Sequence, residues 1–178
     1  GNARGDFTPE KNNNSVESKI EYSADIIDYL VKEEKTFLIN NAFVDYDNTI
    51  LNAGEIYVDW EQNFLEAKIK DGIYPSVNGL GESPTYGELL TYDFTTKRGK
   101  MIKGHTNYGQ ANNQMYYKGK KIYRNSNQTY HIYNSLLTSC DRDNPHYYFK
   151  SKQMKMIPND RIIAKPMTLY LQDYPMIS

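Results

Sequence analysis

The side chains best suited to nucleophilic or metal chemistry in this sequence are one cysteine, Cys140, and three histidines, His105, His131 and His146. A single cysteine can neither close an internal disulfide nor build a cysteine-rich zinc site. The histidines are scattered without the close spacing of metal ligands. Asp141-Arg142-Asp143-Asn144 has the oxygen-rich text of a calcium loop but lacks the downstream glycine and bidentate acid, so it reads as a solvated turn. The paired carboxylates Glu33-Glu34 fall where a hairpin tip is expected, exposed, with nothing to tune their pKa values. There is no nucleophile elbow, no phosphate loop and no evident Cys–His pairing. The pattern points away from an enzyme and calls for no cofactor and no metal.

What the sequence does supply is apolar side chains at a spacing that makes a continuous face. Ile56, Val58 and Trp60 alternate with Tyr57 and Asp59, and Leu90, Tyr92 and Phe94 alternate with Thr91 and Asp93. Met154 and Met156 flank Lys155, and Met167, Leu169 and Leu171 alternate with Thr168 and Tyr170. Period two with one apolar side is the mark of a half-buried strand. Ile56, Val58, Trp60, Leu90, Phe94, Met154, Met156, Leu169 and Leu171 therefore either line an apolar groove or fill an ordinary dry core. Methionine adapts its shape, which suits a cavity that accepts flexible chains, so Met154 and Met156 stand out as a pair.

The elements that must position these residues are short hairpins. Four segments, 24–39, 54–67, 90–104 and 153–164, share one layout of strand, polar tip and second strand. Glu61-Gln62-Asn63, Lys97-Arg98-Gly99 and Pro158-Asn159-Asp160 supply turn chemistry. Residues 24–34 also have helical spacing at Ile26, Ile27, Leu30 and Val31, but the surrounding pattern favours a strand ending in a turn at Glu33-Glu34-Lys35. One hairpin cannot bury its apolar face alone, so the repeats must associate. Residues 71–87, with four glycines and two prolines, read as a long loop or crossover. Residues 1–17, with the run Asn12-Asn13-Asn14, read as a flexible leader, and residues 18–178 as one domain.

Composition narrows the partners. With 21 basic against 22 acidic residues, the chain lacks the basic footprint that nucleic acid requires. No apolar run approaches the roughly 20 residues of a membrane-spanning helix. The 17 tyrosines against 6 phenylalanines and 1 tryptophan suit sheets with a large, half-wet face. The opening Gly1-Asn2-Ala3-Arg4-Gly5-Asp6 has no signal-peptide pattern, as in a mature fragment, and leaves the compartment open.

The C-terminal third is specific enough to carry a resemblance. Thr138-Ser139-Cys140-Asp141, with Pro145 close behind, precedes a strand at 147–151, then Met156-Ile157-Pro158, a strand at 161–164 and Met167 to Leu171 ending on Tyr174-Pro175. This resembles the OstA-like lipopolysaccharide-assembly family, and within it the end of the N-terminal periplasmic domain of LptD, where a T-[TS]-C-D…P element precedes the last hairpins. Asn41-Ala42-Phe43-Val44-Asp45-Tyr46 through Leu51-Asn52-Ala53-Gly54-Glu55-Ile56 is similar to the repeat line of the periplasmic bridge proteins, with Asn40 and Gly54 where that line has Gly and Asp. The Tyr- and Asn-rich text is closer to the Bacteroidetes branch. The resemblance spans most of 18–177.

It implies an all-β fold of antiparallel hairpins forming an open, twisted β-jelly roll in the periplasm, attached to an outer-membrane protein in the full-length form. The apolar interior would hold the acyl chains of lipopolysaccharide, and edge-strand pairing would join it to other OstA-like transport proteins. For Cys140 it implies an interdomain disulfide with a barrel cysteine that this chain does not contain; a small buried hydrophobe is the other reading. Burying a lipid chain is worth roughly 0.8 kcal/mol per CH₂, about 10 kcal/mol for a chain of ordinary length, so no specific polar contact is required. A β-sandwich that binds carbohydrate, or one that only docks partners, remains the alternative. Exposed planar aromatics would favour sugar, and inward aromatics packed with methionine would favour lipid.

Overall fold

The computed structural model describes residues 3–7, 19–78, 83–108, 114–158 and 160–177. The described residues are all-β. The strands are β1 (Ala3–Phe7), β2 (Ile20–Ala24), β3 (Ile26–Leu30), β4 (Lys35–Tyr46), β5 (Thr49–Asp59), β6 (Phe64–Lys68), β7 (Ser76–Val77) and β8 (Thr85–Tyr86). They continue as β9 (Leu89–Asp93), β10 (Arg98–Tyr108), β11 (Met115–Arg124), β12 (Tyr130–Thr138), β13 (Tyr147–Ile157), β14 (Arg161–Leu171) and β15 (Tyr174–Ile177). All pairings are antiparallel and join one sheet in chain order, β1-β2-β4-β5-β6-β9-β10-β11-β12-β13-β14-β15.

The four hairpins expected from the sequence are present as β3–β4, β5–β6, β9–β10 and β13–β14. The stretch with competing helical spacing is strand β3. Two tips use the same device. Asp59 Oδ1 accepts the Gln62 amide at 2.9 Å, and Asp93 Oδ1 accepts the Thr96 amide at 2.7 Å. Each Asp is followed by an aromatic turned inward, Trp60 or Phe94, and each turn closes on a residue in the left-handed region, Asn63 or Lys97. Arg98 and Gly99 belong to β10 rather than to the tip, because Asp93 has already closed the turn. In the tip 158–160, Asn159 lies outside the described residues.

Two expectations change. The leader is not wholly unstructured, since Ala3–Phe7 pairs along its length with β2. An open sheet edge offers backbone donors and acceptors to any extended segment, so no apolar pattern is needed. The rest of 1–17 lies outside the described residues. Within 71–87, Ser76–Val77 and Thr85–Tyr86 pair with each other, and also with β5 and β10 respectively.

The long strands β4, β5 and β10 to β14 are folded across a common crease, and the two halves of the sheet face one another. Along a flat strand buried positions recur every second residue. Here the buried series jumps by three: Ala53 to Ile56, Met101 to Gly104, Gly119 to Ile122, Ile132 to Ser135 and Ser151 to Met154. The jumps align across the sheet, where the cross-strand registers skip Lys103, Lys120, Asn134, Lys152 and Pro166. Lys103 and Asn134 take positive φ, as do Asn40 and Asn41, where the β4–β5 register shifts. Between β2 and β3 the crease falls at Asp25, whose amide donates to the Asn40 carbonyl at 3.0 Å and whose carboxylate accepts from the Asn41 side chain at 2.8 Å.

Beside the crease runs a file of small buried residues, Gly104, Gly119, Ser135 and Ser151, each paired with the next. A Cβ on Gly104 would run into Ile122, and one on Gly119 into Ile132. The first leaf comprises β3, β6 and β9 with residues 35–39, 55–59, 98–102, 121–124, 130–133, 153–157 and 161–165. The second comprises β1, β2, β7, β8 and β15 with the remaining halves. One hydrophobic core lies between them, from Ile20 to Met156. Leu38, Ile56, Leu65 and Ile132 are fully buried there, each worth about 1.5–3 kcal/mol.

Candidate functional site

Residues paired directly across an antiparallel sheet share a face, so the concave lining can be followed strand by strand. On the first leaf one file runs Leu65, Tyr92, Gly99, Arg124, Tyr130, Met156, Ile162. The next runs Met101, Ile122, Ile132, Met154, Ala164, and on the second leaf Thr106, Tyr117, Leu137, Phe149, Leu169 form a third.

Seven of the nine residues singled out in the sequence meet in the closed core: Ile56, Val58, Trp60, Leu90, Phe94, Met154 and Met156. Trp60 and Phe94 stack at 6.4 Å, Phe94 meets Tyr46 edge-on at 5.0 Å, and Trp60 lies 6.2 Å from Tyr22. The indole N–H donates to Thr36 Oγ1 at 2.7 Å. These rings bridge the two leaves on the side away from the crease. Leu169 and Leu171 share the concave face but not the closed core. Leu169 is half-buried, and Leu171 is 42% exposed.

That difference follows a gradient. In the third file Thr106 and Tyr117 are buried, whereas Leu137, Phe149 and Leu169 are only half-buried. In the first, Met156 is 3% exposed and its neighbour Ile162 is 40% exposed. The concave face therefore runs from a closed centre to an uncovered lip on β14, where Met167 is also exposed. β15 covers only residues 169–171, so among the described residues the backbone edge of 161–165 has no partner strand.

In the centre, packing is incomplete. An apolar cavity of about 70 Å³ lies between the leaves, walled by Leu65, Leu90, Met101 and Ile122 on one side and Val44, Leu51 and Val77 on the other. Gly99 lines it, and a Cβ there would make ordinary contact, no closer than 3.5 Å to any neighbour. Arg124 and Tyr130 stand at its margin. Burial pushes the Tyr92 and Tyr130 hydroxyls up from their ordinary values, and the charge of the neighbouring Arg124 guanidinium opposes the rise. Thr85, 1% exposed, also lines the cavity, and its hydroxyl has no hydrogen-bond partner among the described residues. Sequence reading missed Arg124, Gly99 and Thr85. The signal available was a lone arginine on the inward parity of a strand.

Cys140 lies on the loop between β12 and β13, half-buried. Its amide donates to Thr138 Oγ1 at 3.0 Å, and its sulfur is 3.7 Å from His146 Nδ1. Asp141, Arg142, Asp143 and Asn144 beside it are exposed. His105 stacks on Tyr86 at 5.8 Å, and His131 is on β12, so the three histidines occupy separate places.

The sequence matches no protein-family profile, and no curated protein matches it. Among solved structures, one that is similar is LptH of Pseudomonas aeruginosa, described as the LptA-homologous periplasmic component of the conserved lipopolysaccharide transport device. The two share 16% identity over 85% of this chain and 94% of that one, with a TM-score of 0.47.

Proposed function

We propose that this domain holds the acyl chains of an amphiphilic lipid between its leaves and passes the lipid on across its C-terminal edge. The observation that carries this reading is the concave apolar face that begins in a closed core and ends uncovered at Ile162, Met167, Leu169 and Leu171. A folded sheet of this kind has a side opening, and each methylene entering it gains roughly 0.8 kcal/mol. The aromatics bear on the rival reading. Trp60, Phe94, Tyr92 and Tyr130 point inward and share the core with Met101, Met154 and Met156, which favours lipid over a sugar-binding strip.

The resemblance around Cys140 makes the lipid lipopolysaccharide, the compartment the periplasm, and the role that of the soluble domain of an LptD-type assembly protein. On this reading Cys140 forms a disulfide with a cysteine outside this chain. Its place on an exposed loop is compatible with that, since a partner can reach it without opening the core. The unpartnered edge at 161–165 suits docking of another OstA-like sheet by strand addition.

The test is site-specific photocrosslinking to lipopolysaccharide. A crosslinker at Leu169 should capture lipopolysaccharide, and one at Lys118, on the convex side, should not. Leu169→Asp should abolish capture by a crosslinker at Met167 while the protein keeps its melting transition. Equal capture at both faces, or retention of polysaccharide in place of lipid, would overturn the reading.

A further inference from the structure

The strands β10 to β14 contain no aspartate or glutamate along their whole length, while lysine recurs on every one of them except β12. The four acidic residues of 98–178, Asp141, Asp143, Asp160 and Asp173, all lie in the connections between strands. Cross-strand pairing lays two outward files over the first leaf. One runs from Lys100 through Tyr123 and Lys155 to Ile163, the next from Lys121 through Tyr133 to Lys165. Beside them, on the outside of the crease, stand Lys120 and Lys152, at two of the positions that the registers skip. Lys100, Lys120, Lys121, Lys152, Lys155 and Lys165 are all exposed, and none has a carboxylate within 4.0 Å among the described residues. Lys35, Lys68 and Lys70 of the N-terminal half each pair with a glutamate. On the second leaf, Asp141, Asp143 and Asp173 border the outward surface that bears Lys118. The uncompensated charge is therefore gathered on the first leaf, over five strands spaced about 4.8 Å apart. Like charges held this close on a rigid sheet repel one another, and an anionic partner relieves that repulsion.

We propose that this outward face of β10 to β14 docks on the surface of an anionic lipid bilayer. The side chains between the lysines select that partner. Tyr123 and Tyr133 meet edge-on at 5.7 Å, both half-buried, and Ile163 is 43% exposed. Cations interleaved with phenol rings and an exposed aliphatic match a bilayer interface, where rings sit at head-group level beside the phosphates. A hydrophilic polyanion answers the charge but leaves Ile163 in water. The proposal does not depend on the lipid-holding reading, and it adds an orientation to it. With this face on the bilayer, β14, which bears the open lip on its other side, borders the membrane surface.

The experiment is flotation of the full chain with vesicles of phosphatidylcholine alone and of equimolar phosphatidylcholine and phosphatidylglycerol. The chain should float with the anionic vesicles at low salt, not with the neutral ones, and high salt should release it. Replacing Lys121, Lys155 and Lys165 together by Gln should weaken anionic-vesicle binding on the order of a hundredfold, roughly fivefold per lysine. Replacing Lys35, Lys68 and Lys70 by Gln makes the same change in net charge and should leave binding within a few-fold of the parent. Tyr123→Ser with Ile163→Ser should weaken binding to vesicles but not to dextran sulfate, a soluble polyanion. Equal loss in the two lysine triples, or no binding to anionic vesicles, overturns the proposal. Binding to dextran sulfate as tight as to vesicles, with the Tyr123 and Ile163 changes without effect on either, makes the face a polyanion site and overturns the membrane as its partner. None of these outcomes touches the lipid-holding reading, which capture at Leu169 tests separately.

Discussion

At the scale of single residues, the inward polar groups are the ones whose environment can be read out by titration. Trp60 and Tyr130 are nearly as buried as the aliphatics around them; the indole is tied to Thr36 Oγ1, and the phenol lies beside the charge of Arg124. Arg124 has a measurable consequence. Burial favours the neutral phenols of Tyr92 and Tyr130, and the guanidinium pulls the other way, with burial the larger effect in both. A folded-state value above the unfolded one, near 10, means that these tyrosines contribute stability fully below that value. The contribution is lost as pH rises through their folded values. Tyrosine ring-carbon NMR should therefore show both titrating above the ordinary tyrosine value, and denaturant stability should fall on going from about pH 9 to about pH 11. Arg124→Gln removes the downward pull, so both should titrate later still, while Tyr57 and Tyr148, raised by burial and by bonds to Asp59 and Asp173, should not move. Titration of Tyr92 and Tyr130 at the ordinary tyrosine value would show that the two phenols are not buried against the arginine.

At the scale of elements, the crease makes the fold, and it was the least legible part of the sequence. Alternation at 56–60, 90–94 and 154–156 and the polar tips between strands marked the hairpins, because half-buried strands must alternate and turns need particular residues. A jump of three in a period-two pattern reads as noise in one strand and becomes a signal only when strands are aligned, which requires their registers. Lys103-Gly104 and Asn134-Ser135 are such jumps, each pairing an outward residue at positive φ with a small buried one. Groove and core positions were equally hard to separate. Met154 and Leu169 carry the same alternation, and only distance from the sheet edge exposes the second. The small file predicts its own sensitivity. In Gly119→Val the new side chain meets Ile132 and Ile122 at the inside of the bend, and overpacking there should cost about 1–3 kcal/mol. Gly99→Ala, also on the concave face but beside the cavity, should stay within about 1 kcal/mol of the parent or gain slightly. Equal losses in urea denaturation of the two variants would mean that the crease is no tighter than the rest of the interior.

At the scale of the whole molecule, a near-zero net charge conceals two opposed ends. Residues 1–97 carry eight basic and 18 acidic side chains, and residues 98–178 carry 13 basic and four acidic ones. Because the sheet is laid down in chain order, this division in sequence is also a division in space, with β1–β9 acidic and β10–β15 basic. The two ends also hold the two edges, β1 and β3 at one and β14 and β15 at the other, with Ile163 and Lys165 on the same exposed margin. If another sheet docks on an edge, as proposed, one that presents an acidic edge would be drawn to β14 in preference to β3, and charge would set the direction of assembly before any strand pairs. Such steering must fade with salt, since the screening length falls from about 30 Å at 0.01 M to about 8 Å at 0.15 M. Sedimentation velocity on the full chain, alone or with an OstA-like partner, should show association that weakens across this range. Ile163→Lys, which adds charge to the edge without touching the concave face, should leave attraction intact but reduce the stable complex. Association indifferent to both salt and Ile163→Lys would place the contact elsewhere and remove the edge from the transfer route.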